Sequence, residues 1–122
     1  MNKEKLIRDL CARLPYNVKV LYDNKVFSID YVSSIHEEIK LDTRDNYTLD
    51  VLDVKPYLFP LSSMTEEQKM FLKQQNWCIA ISTSGTIETT VEGIDWLNKN
   101  HFDIHNLIPI NLAIDATGLN IY

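Results

Sequence analysis

The chain contains few of the residues on which several common functional classes depend. It has 122 residues, of which three are glycine and two are cysteine, and it has no run of 18 apolar residues. The scarcity of glycine excludes a glycine-rich loop for nucleotide phosphates. The lack of a long apolar run excludes a transmembrane helix, and the charged first residues indicate no signal peptide. We therefore expect a cytoplasmic protein that does not bind a membrane.

Sequence signatures of catalysis are also missing. No GxSxG motif is present, and neither Cys11 nor Cys78 lies in a CxxC pair or in a recognisable catalytic context. In a reducing compartment, isolated cysteines of this kind are small buried hydrophobic groups. We therefore predict two buried thiols, no catalytic residue, no cofactor and a protein that is not an enzyme.

Positive charge is in short supply as well. Lysine and arginine contribute 12 residues against 17 acidic ones, for a formal net charge of -5. A phosphate-binding surface needs clustered basic residues, so general nucleic-acid binding is not favoured. A local basic face around Arg13, Lys19, Lys25 and Lys55 is the alternative, and it would make the protein a nucleic-acid-associated regulator.

The first part of the chain has the pattern of an amphipathic helix. Leucines recur at i, i+4 and i+8 from Leu6, and this spacing places them on one face of a helix. The pattern predicts a helix over 2–14 that ends before Pro15, because the residue before a proline disfavours helical angles. The same spacing places Arg8 and Asp9 on the solvent side.

Four runs of alternating apolar and polar residues follow this helix. Alternation with a period of two predicts half-buried strands. The dipeptide Asp23-Asn24 between the first two runs predicts a hairpin turn, because Asn takes a positive φ at little cost. The runs occupy 18–22, 27–31, 35–41 and 47–51. Their regular spacing predicts an antiparallel meander.

The second half of the chain predicts two further helices and a hairpin. Ser63 and Thr89 each have a glutamate three residues later, which is the spacing of a capping box at a helix start. The first helix is predicted over 64–75, and Ser84-Gly85 predicts a hairpin turn before the second. Six apolar residues are predicted to be buried by the two helices, namely Met64, Phe71, Leu72, Val91, Ile94 and Leu97.

Together these elements predict an α+β fold. It has an N-terminal helix, an antiparallel sheet of about five or six strands (a meander plus a hairpin) and two further helices. The composition, 45% apolar and 24% charged, is typical of soluble domains, and the length predicts a single domain over 1–122. The apolar stretch at 107–113 is expected to be a loop or single turn packed on that domain.

A proline-containing segment at 55–64 breaks the alternating pattern. Pro56 and Pro60 are expected to exclude a central strand and a helix interior, yet the segment is rich in large apolar side chains. Two interpretations stay open: the segment lies pinned across an edge of the core, or it presents aromatic side chains to a partner. The second interpretation makes three residues candidates for binding a partner, namely Lys55, Tyr57 and Phe59.

One spacing in the sequence suggests a metal site. His101 and His105 are four residues apart and could share a metal ion on a helix, with Asp103 adding an oxygen. The further ligands that a zinc site needs are missing from the sequence, so no metal site is predicted. We expect His101 instead to be a charged imidazolium at the C-terminus of a helix, and Asp103 to cap the next turn.

Six short motifs lie at both ends and in the middle of the chain. They are DLCARLPY at 9–16, VKPYL at 54–58, PLSSMTEE at 60–67, Trp96-Leu97-Asn98, His101-Phe102-Asp103 and Leu107-Ile108. Through them the chain resembles a family of small uncharacterised proteins that phages, prophages and mobile elements of gut bacteria encode. The resemblance covers nearly the whole chain, and it implies no reaction, cofactor or catalytic residue.

The chain departs from that family at two positions. Asn111 stands where the family tends to carry glycine, which predicts a positive φ that Asn can also adopt. His105 stands where the family tends to carry arginine, which argues against a shared role for His101 and His105. We expect a non-enzymatic interaction or accessory protein of a phage or mobile element, which binds a protein partner through an exposed apolar and aromatic patch.

Overall fold

The structure, a computed structural model, describes residues 2–43, 48–77, 80–81 and 87–122. Within these residues the chain forms three α-helices and eight strands. The helices are α1 (Asn2–Arg13), α2 (Glu66–Gln74) and α3 (Val91–Lys99). The strands are β1 (Lys19–Tyr22), β2 (Lys25–Ser33), β3 (Glu38–Leu41), β4 (Leu49–Asp50), β5 (Lys55–Leu58), β6 (Ala80–Ile81), β7 (Ile87–Glu88) and β8 (Ile114–Asp115).

Six of the strands form one mixed sheet in the order β4-β3-β2-β1-β5-β8. Neighbouring strands are antiparallel except β5 and β8, which run parallel. Strands β6 and β7 form a separate antiparallel pair, and the turn predicted between them at Ser84-Gly85 lies outside the described residues. The predicted α+β class is confirmed, with its N-terminal helix, a sheet of six strands and two further helices. The prediction of a wholly antiparallel sheet that includes the second hairpin is wrong, because β8 pairs in parallel with β5 and the β6–β7 pair lies apart.

The β1–β2 hairpin forms where the sequence predicts it. Tyr22 pairs with Lys25, and the two residues between them, Asp23 and Asn24, have φ angles of 50° and 60°. Two successive positive φ angles are typical of a type I′ turn, whose twist matches that of paired strands. The turn therefore sets the register of the first hairpin in the sheet.

The third and fourth strands are shorter than predicted. Ser33 Oγ accepts a hydrogen bond from the His36 N–H at 3.2 Å, which closes a turn and leaves Ile35 exposed rather than in a strand. Val51 begins a 3-10 turn, so β4 has two residues. Tyr47, which was also predicted in that strand, lies outside the described residues.

The proline-containing segment includes a central strand, which corrects the expectation that its prolines exclude one. β5 lies between β1 and β8, with Pro56 opposite Val20. The Leu58 carbonyl accepts from the Ala116 N–H on the β8 side at 2.8 Å. Backbone groups two residues apart face the same neighbouring strand, so Pro56 also faces β8. Pairing with β8 starts only at Tyr57. The sheet therefore loses no hydrogen bond because Pro56 has no N–H.

Helix α2 starts at a capping box, but not at the one predicted. Thr65 Oγ1 accepts from the Gln68 N–H at 3.1 Å, and Gln68 Oε1 accepts from the Thr65 N–H at 2.9 Å. Ser63 instead donates its hydroxyl to the Pro60 carbonyl at 2.6 Å. Both Ser63 and Thr65 have a suitable polar residue three positions later, so spacing alone does not choose between them.

Helix α3 starts one residue later than predicted and buries a narrower face. Thr90, rather than Thr89, caps it by accepting from the backbone N–H three residues later at 3.1 Å. Leu97 is buried as predicted, whereas Val91 and Ile94 are exposed. Residues three apart lie about 60° apart around a helix. Val91 and Leu97 are six residues apart, so Val91 lies well away from the buried face that Leu97 occupies.

Two groups of buried side chains hold these elements together. The first, the sheet core, is aliphatic and packs α1 against the sheet. The second, the helix core, joins α2, α3 and the residues around them, with half-buried aromatic side chains at its margin. The buried members of the sheet core are Leu6, Ile7, Leu10, Val18, Val20, Ile29, Ile39, Leu41, Val51, Val54, Leu58, Leu107 and Ala113. Those of the helix core are Met64, Leu72, Leu97 and Phe102.

The stretch at 107–113 forms a packed turn, as predicted. Leu107 is buried in the sheet core, and its carbonyl accepts from the Leu112 N–H at 3.0 Å. Asn111 has a φ of 63°, which confirms the positive φ expected at this position.

No helix that the described residues form has both the length and the apolar character that a membrane span requires.

Candidate functional site

A buried ion pair lies on the inner face of α1. Asp9 and Arg13 are both fully buried. Arg13 Nε donates to Asp9 Oδ2 at 2.7 Å, and Arg13 Nη2 donates to Asp9 Oδ1 at 3.0 Å. The prediction that Asp9 lies on the solvent side is therefore wrong. A bidentate partner four residues later neutralises the carboxylate, and this pairing lets two charged groups occupy a buried face.

The ion pair connects α1 to the segment that follows α3. Arg13 Nη2 also donates to the Phe102 carbonyl, and His105 Nδ1 lies 2.7 Å from Asp9 Oδ1. Burial acts to raise the pKa of Asp9, but the hydrogen bonds and charges of His105 and Arg13 outweigh it and hold that pKa below its usual value. This network fixes Phe102 and its neighbours relative to the sheet core.

Arg13 is buried and therefore cannot form a basic surface together with Lys19, Lys25 and Lys55. Lys19 Nζ donates to Ser28 Oγ at 2.7 Å, and Lys55 Nζ donates to Asn111 Oδ1 at 3.1 Å. These two ammonium groups have neutral partners, whereas the guanidinium of Arg13 faces a carboxylate inside the protein. The structure therefore corrects the proposed set of basic residues, because Arg13 cannot present its charge to a nucleic acid.

His101 occupies a position that usually belongs to glycine or asparagine. It follows the last turn of α3 with a φ of 64°. The Phe102 N–H donates to the Leu97 carbonyl at 2.9 Å, and the His101 N–H donates to the Asn98 carbonyl at 3.1 Å. These two bonds form a Schellman motif, which turns the chain sharply and brings the His101 ring beside the sheet.

The His101 ring is neutral, not the imidazolium that was predicted. It stacks on the Tyr122 ring with centroids 3.6 Å apart and planes 11° apart. Burial and the positive charges of Arg13 and Lys19 lower the pKa of His101 to about 4. The side chain therefore carries no charge at neutral pH, because these effects outweigh attraction to the negative end of the helix dipole.

The Tyr122 hydroxyl is inserted between two strands of the sheet. It accepts from the Lys19 N–H at 2.9 Å and donates to the Tyr57 carbonyl at 2.7 Å. The regular pairing of β1 with β5 stops at Val20 opposite Pro56, so the hydroxyl joins the strands where they separate. Burial raises the pKa of Tyr122 to about 12, and the group stays protonated at physiological pH.

A chain of aromatic contacts runs from α2 to this hydroxyl. Each ring lies within 6.3 Å of the next, measured between centroids. Near the α2 end of the chain, Phe71 is 40% exposed, which corrects the prediction that it is buried. The rings are those of Trp77, Phe71, Trp96, Phe102, Phe59, Tyr122 and His101. The helix core therefore continues as an aromatic surface to the edge of the sheet core.

A groove with a volume of about 470 Å³ opens beside this chain of rings. It lies between the start of α2, the end of α3 and the segment 117–122. Lys99 is the one side chain with a full charge among the described residues that line it. The other lining residues offer aromatic rings or uncharged hydrogen-bonding groups, and they include Phe59, Ser63, Thr65, Gln68, Asn100, Thr117 and Tyr122. Mixed aromatic and polar walls of this kind are typical of binding sites.

The three candidate residues for binding a partner, Lys55, Tyr57 and Phe59, differ in how far they are buried and in what they line. Tyr57 is 7% exposed, so for this residue the structure favours the interpretation of a segment pinned on the core over that of a ring presented to a partner. Tyr57 is buried because it lies on a central strand rather than on a loop. Phe59 lines the groove, and Lys55 is half-buried at the start of β5. Binding of a partner by this segment stays a prediction, and a partner would reach Phe59 and Lys55 rather than the Tyr57 ring.

The two histidines considered for a metal lie in different surroundings. His105 contacts Asp9, whereas His101 contacts Tyr122. Asp103 caps the next turn as predicted, with its two carboxylate oxygens accepting from the N–H groups of Leu107 and Ile108, each at 2.9 Å. Among the residues described, no three His, Cys, Asp or Glu side chains are grouped to hold a metal ion.

Of the two cysteines, Cys11 is exposed, which corrects the prediction of a buried thiol. The inner face of α1 is filled by the leucines and by the Asp9–Arg13 pair, and Cys11 therefore falls outside it. Cys78 lies outside the described residues.

Comparisons with protein-family models, with curated proteins and with solved structures find no match to this chain. The resemblance to proteins of phages and mobile elements therefore stays an expectation from the motifs alone.

Sequence reasoning missed several residues that shape the site. Asp9 and Arg13 have the i, i+4 spacing of an ion pair, and that spacing was the available signal for a buried pair. The role of Tyr122 leaves no signal, because its partners are backbone groups of Lys19 and Tyr57 that are far away in the sequence.

Proposed function

We propose that the protein is a non-enzymatic interaction protein that binds a protein partner in the groove beside His101 and Tyr122. The observation that carries this proposal is the groove itself, whose walls combine aromatic rings with uncharged hydrogen-bonding side chains. Protein interfaces are enriched in aromatic residues and depleted in charged ones at their centre. A groove of about 470 Å³ has the size of a site for a few partner side chains.

The ionisation of the groove residues favours binding over acid–base catalysis. A general acid or base works best when its pKa lies near the operating pH. The pKa of His101 is about 4 and that of Tyr122 is about 12, so neither group exchanges protons readily at neutral pH. The Tyr122 hydroxyl is also occupied by two backbone partners.

The biological setting of this proposal comes from the sequence motifs. Their resemblance to proteins of phages, prophages and mobile elements favours an accessory protein that acts on a protein of the element or of its host. Phe59 supports the link between motif and groove, because it lies between two of those motifs and lines the groove wall. The alternative of a nucleic-acid regulator gains no support from the position of Arg13.

Selection of peptides on the purified protein tests the proposal. A random library of linear peptides is selected on the wild-type chain, and the affinities of the selected peptides are then measured for two variants. Thr117→Trp fills the groove from an exposed position that lines it, whereas Thr48→Trp adds the same ring at an exposed position outside it.

The proposal predicts that Thr117→Trp weakens peptide binding by roughly tenfold or more, the range of a strong interface contact, while Thr48→Trp has no effect. Peptides that bind both variants and the wild type equally would place the binding surface elsewhere and overturn the proposal.

A further inference from the structure

The segment 116–122 crosses one wall of the groove and is anchored at its two ends. At the first end, the Ala116 N–H donates to the Leu58 carbonyl at 2.8 Å. At the other end, the Tyr122 hydroxyl lies between Lys19 and Tyr57. The residues 117–120 between these anchors are exposed. We call this segment the strap.

We propose that the strap is a gate for the groove and that the Tyr122 hydroxyl is the latch that holds it closed. The latch consists of one hydroxyl that accepts from the Lys19 N–H and donates to the Tyr57 carbonyl. When both bonds break, the strap moves outward and the groove widens. The role of this movement in binding a partner rests on the proposed function, but the latch itself does not.

The strap has a residue suited to act as its hinge. Gly118 has a φ of 79°, and a Cβ at this position would have no atom within 4 Å. Glycine changes its backbone angles more freely than other residues, and hinge movements concentrate at a few such positions. Gly118 and Thr117 both line the groove, so rotation at the hinge moves the groove wall directly.

The sheet does not depend on the latch, so the strap can open without unfolding the protein. β1 is paired with β2 along its full length and with β5 at Val20 and Leu21. The latch lies just beyond these pairs, at Lys19 and Tyr57. Segments with exposed residues and few anchoring bonds open at lower free energy than core strands. Besides its anchors the strap has a backbone bond, from the Leu119 N–H to the Ala116 carbonyl at 3.1 Å, and the stacking of the Tyr122 ring. The strap is therefore held by fewer bonds than β1, which is paired on both sides.

Two tyrosine variants separate the latch from other effects of losing a hydroxyl. Tyr122→Phe removes the latch and retains the ring that stacks on His101. Tyr31→Phe is the matched control, because Tyr31 and Tyr122 have the same exposed fraction of 44%. The described contact of Tyr31 is the Lys40 ammonium over its ring, which does not involve the hydroxyl.

Two measurements report on opening in each variant. Chymotrypsin cleavage after the exposed Leu119 reports on the strap, and modification of His101 by diethyl pyrocarbonate reports on the groove wall. The exposed His36 is an internal standard for the second measurement. Loss of one hydroxyl with two hydrogen bonds predicts a rise of roughly tenfold in both rates for Tyr122→Phe, with His36 and the Tyr31→Phe variant unchanged. Unchanged rates in Tyr122→Phe, or an equal rise at His36, would overturn the proposal.

Hydrogen exchange of the wild-type protein tests the same proposal even if Tyr122→Phe does not fold. The amides of Lys19 and Leu21 both face β5, but only the first is bonded to the latch. The proposal predicts that the Lys19 amide exchanges through a local opening that low concentrations of urea do not change, whereas Leu21 exchanges through global unfolding. Equal protection and equal urea dependence of the two amides would show that the latch opens only with the whole sheet, and the proposal would fall.

Discussion

The sheet core and the helix core differ in the kind of side chain they bury and in how fully they bury it. In the sheet core, Leu6, Leu10 and Leu58 are completely buried among other aliphatic side chains. In the helix core, four buried residues are surrounded by aromatic rings that are only partly covered, and Phe71 is 40% exposed. A closed aliphatic core contributes stability, whereas partly exposed aromatic rings are available for contact with another molecule.

The groove lies beside the helix core, whose Phe59 and Phe102 line it, and hydrogen bonds hold this wall of the groove in place. The Phe59 N–H donates to the His101 carbonyl and the Asp103 N–H donates to the Phe59 carbonyl, each at 2.8 Å. Arg13 reaches from the sheet core to the Phe102 carbonyl. The wall of the groove formed by Phe59 and the residues after α3 is therefore held in place by the cores, and the strap forms the wall that is proposed to move. A wall that is already ordered limits the ordering cost of the proposed binding.

The largest expected effect comes from the buried ion pair. Asp9→Asn leaves the buried guanidinium of Arg13 without its counter-charge, and we expect it to lower the free energy of unfolding by about 3–5 kcal/mol. Urea denaturation measures the loss. The matched control is Glu66→Gln, which breaks the exposed pair with Lys69 and should cost less than about 1 kcal/mol. Equal losses in the two variants would contradict the assignment of the pair to the core.

The next effect comes from the sheet core. Leu10 is completely buried in the sheet core, and Leu10→Ala removes most of its side chain and leaves a cavity. We expect a loss of about 2–5 kcal/mol, measured by urea denaturation. A loss below about 1 kcal/mol, the size of an ordinary surface change, would show that Leu10 of α1 is not packed in the sheet core.

A third prediction uses the low pKa of His101 beside the groove. The folded protein keeps His101 neutral down to about pH 4, whereas the unfolded chain takes up that proton near pH 6.5. Between these values the unfolded state binds more protons, so the free energy of unfolding decreases as the pH is lowered. His101→Asn removes this titration and keeps the left-handed backbone angle, which Asn76 adopts at the matching position after α2.

Thermal unfolding from pH 7 to pH 4 checks that prediction. The wild type and the control His36→Asn, at an exposed position, should lose stability over this range, and His101→Asn should lose less. A pH dependence that is identical in all three proteins would mean that His101 is not held neutral by the fold.

The smallest expected effect comes from the exposed end of the aromatic chain. Phe71→Ala removes ring contacts with Trp77 and Trp96, and we expect a loss of about 1 kcal/mol because each such pair contributes little beyond its buried area. Urea denaturation of Phe71→Ala beside Leu10→Ala measures the difference between the cores. If the two variants lose the same free energy of unfolding, the helix core buries its side chains as fully as the sheet core does, and the stated difference between the cores is wrong.

Local patterns in the sequence predict most of the sheet core. Leucine spacing predicts α1, Asp23-Asn24 predicts the first hairpin turn, and Asn111 predicts a positive φ, because each signal acts within a few neighbouring residues. The β5 strand was missed because the rule against proline in central strands ignores which side of the strand is paired at Pro56. β8 was missed because two residues, Ile114–Asp115, are too few to show a period.

The candidate site was less predictable because its parts come together only in three dimensions. Phe59 was singled out from the sequence and does line the groove. The other elements of the site depend on pairs such as Tyr122 with Lys19 and Arg13 with Phe102. No local spacing in the sequence predicts these contacts. The burial of the Arg13 charge is also an exception to the general rule that charged residues face solvent.

Binding of a partner in the groove beside the helix core can be mapped residue by residue. The most direct measurement is a titration of the nitrogen-15 labelled protein with a peptide selected on the wild-type chain, followed by the amide chemical shifts. If the groove binds the peptide, the changes concentrate at the groove, around 63–68, 99–102 and 117–118. Changes confined to α1 or to β2 and β3, with the groove amides unmoved, would contradict it.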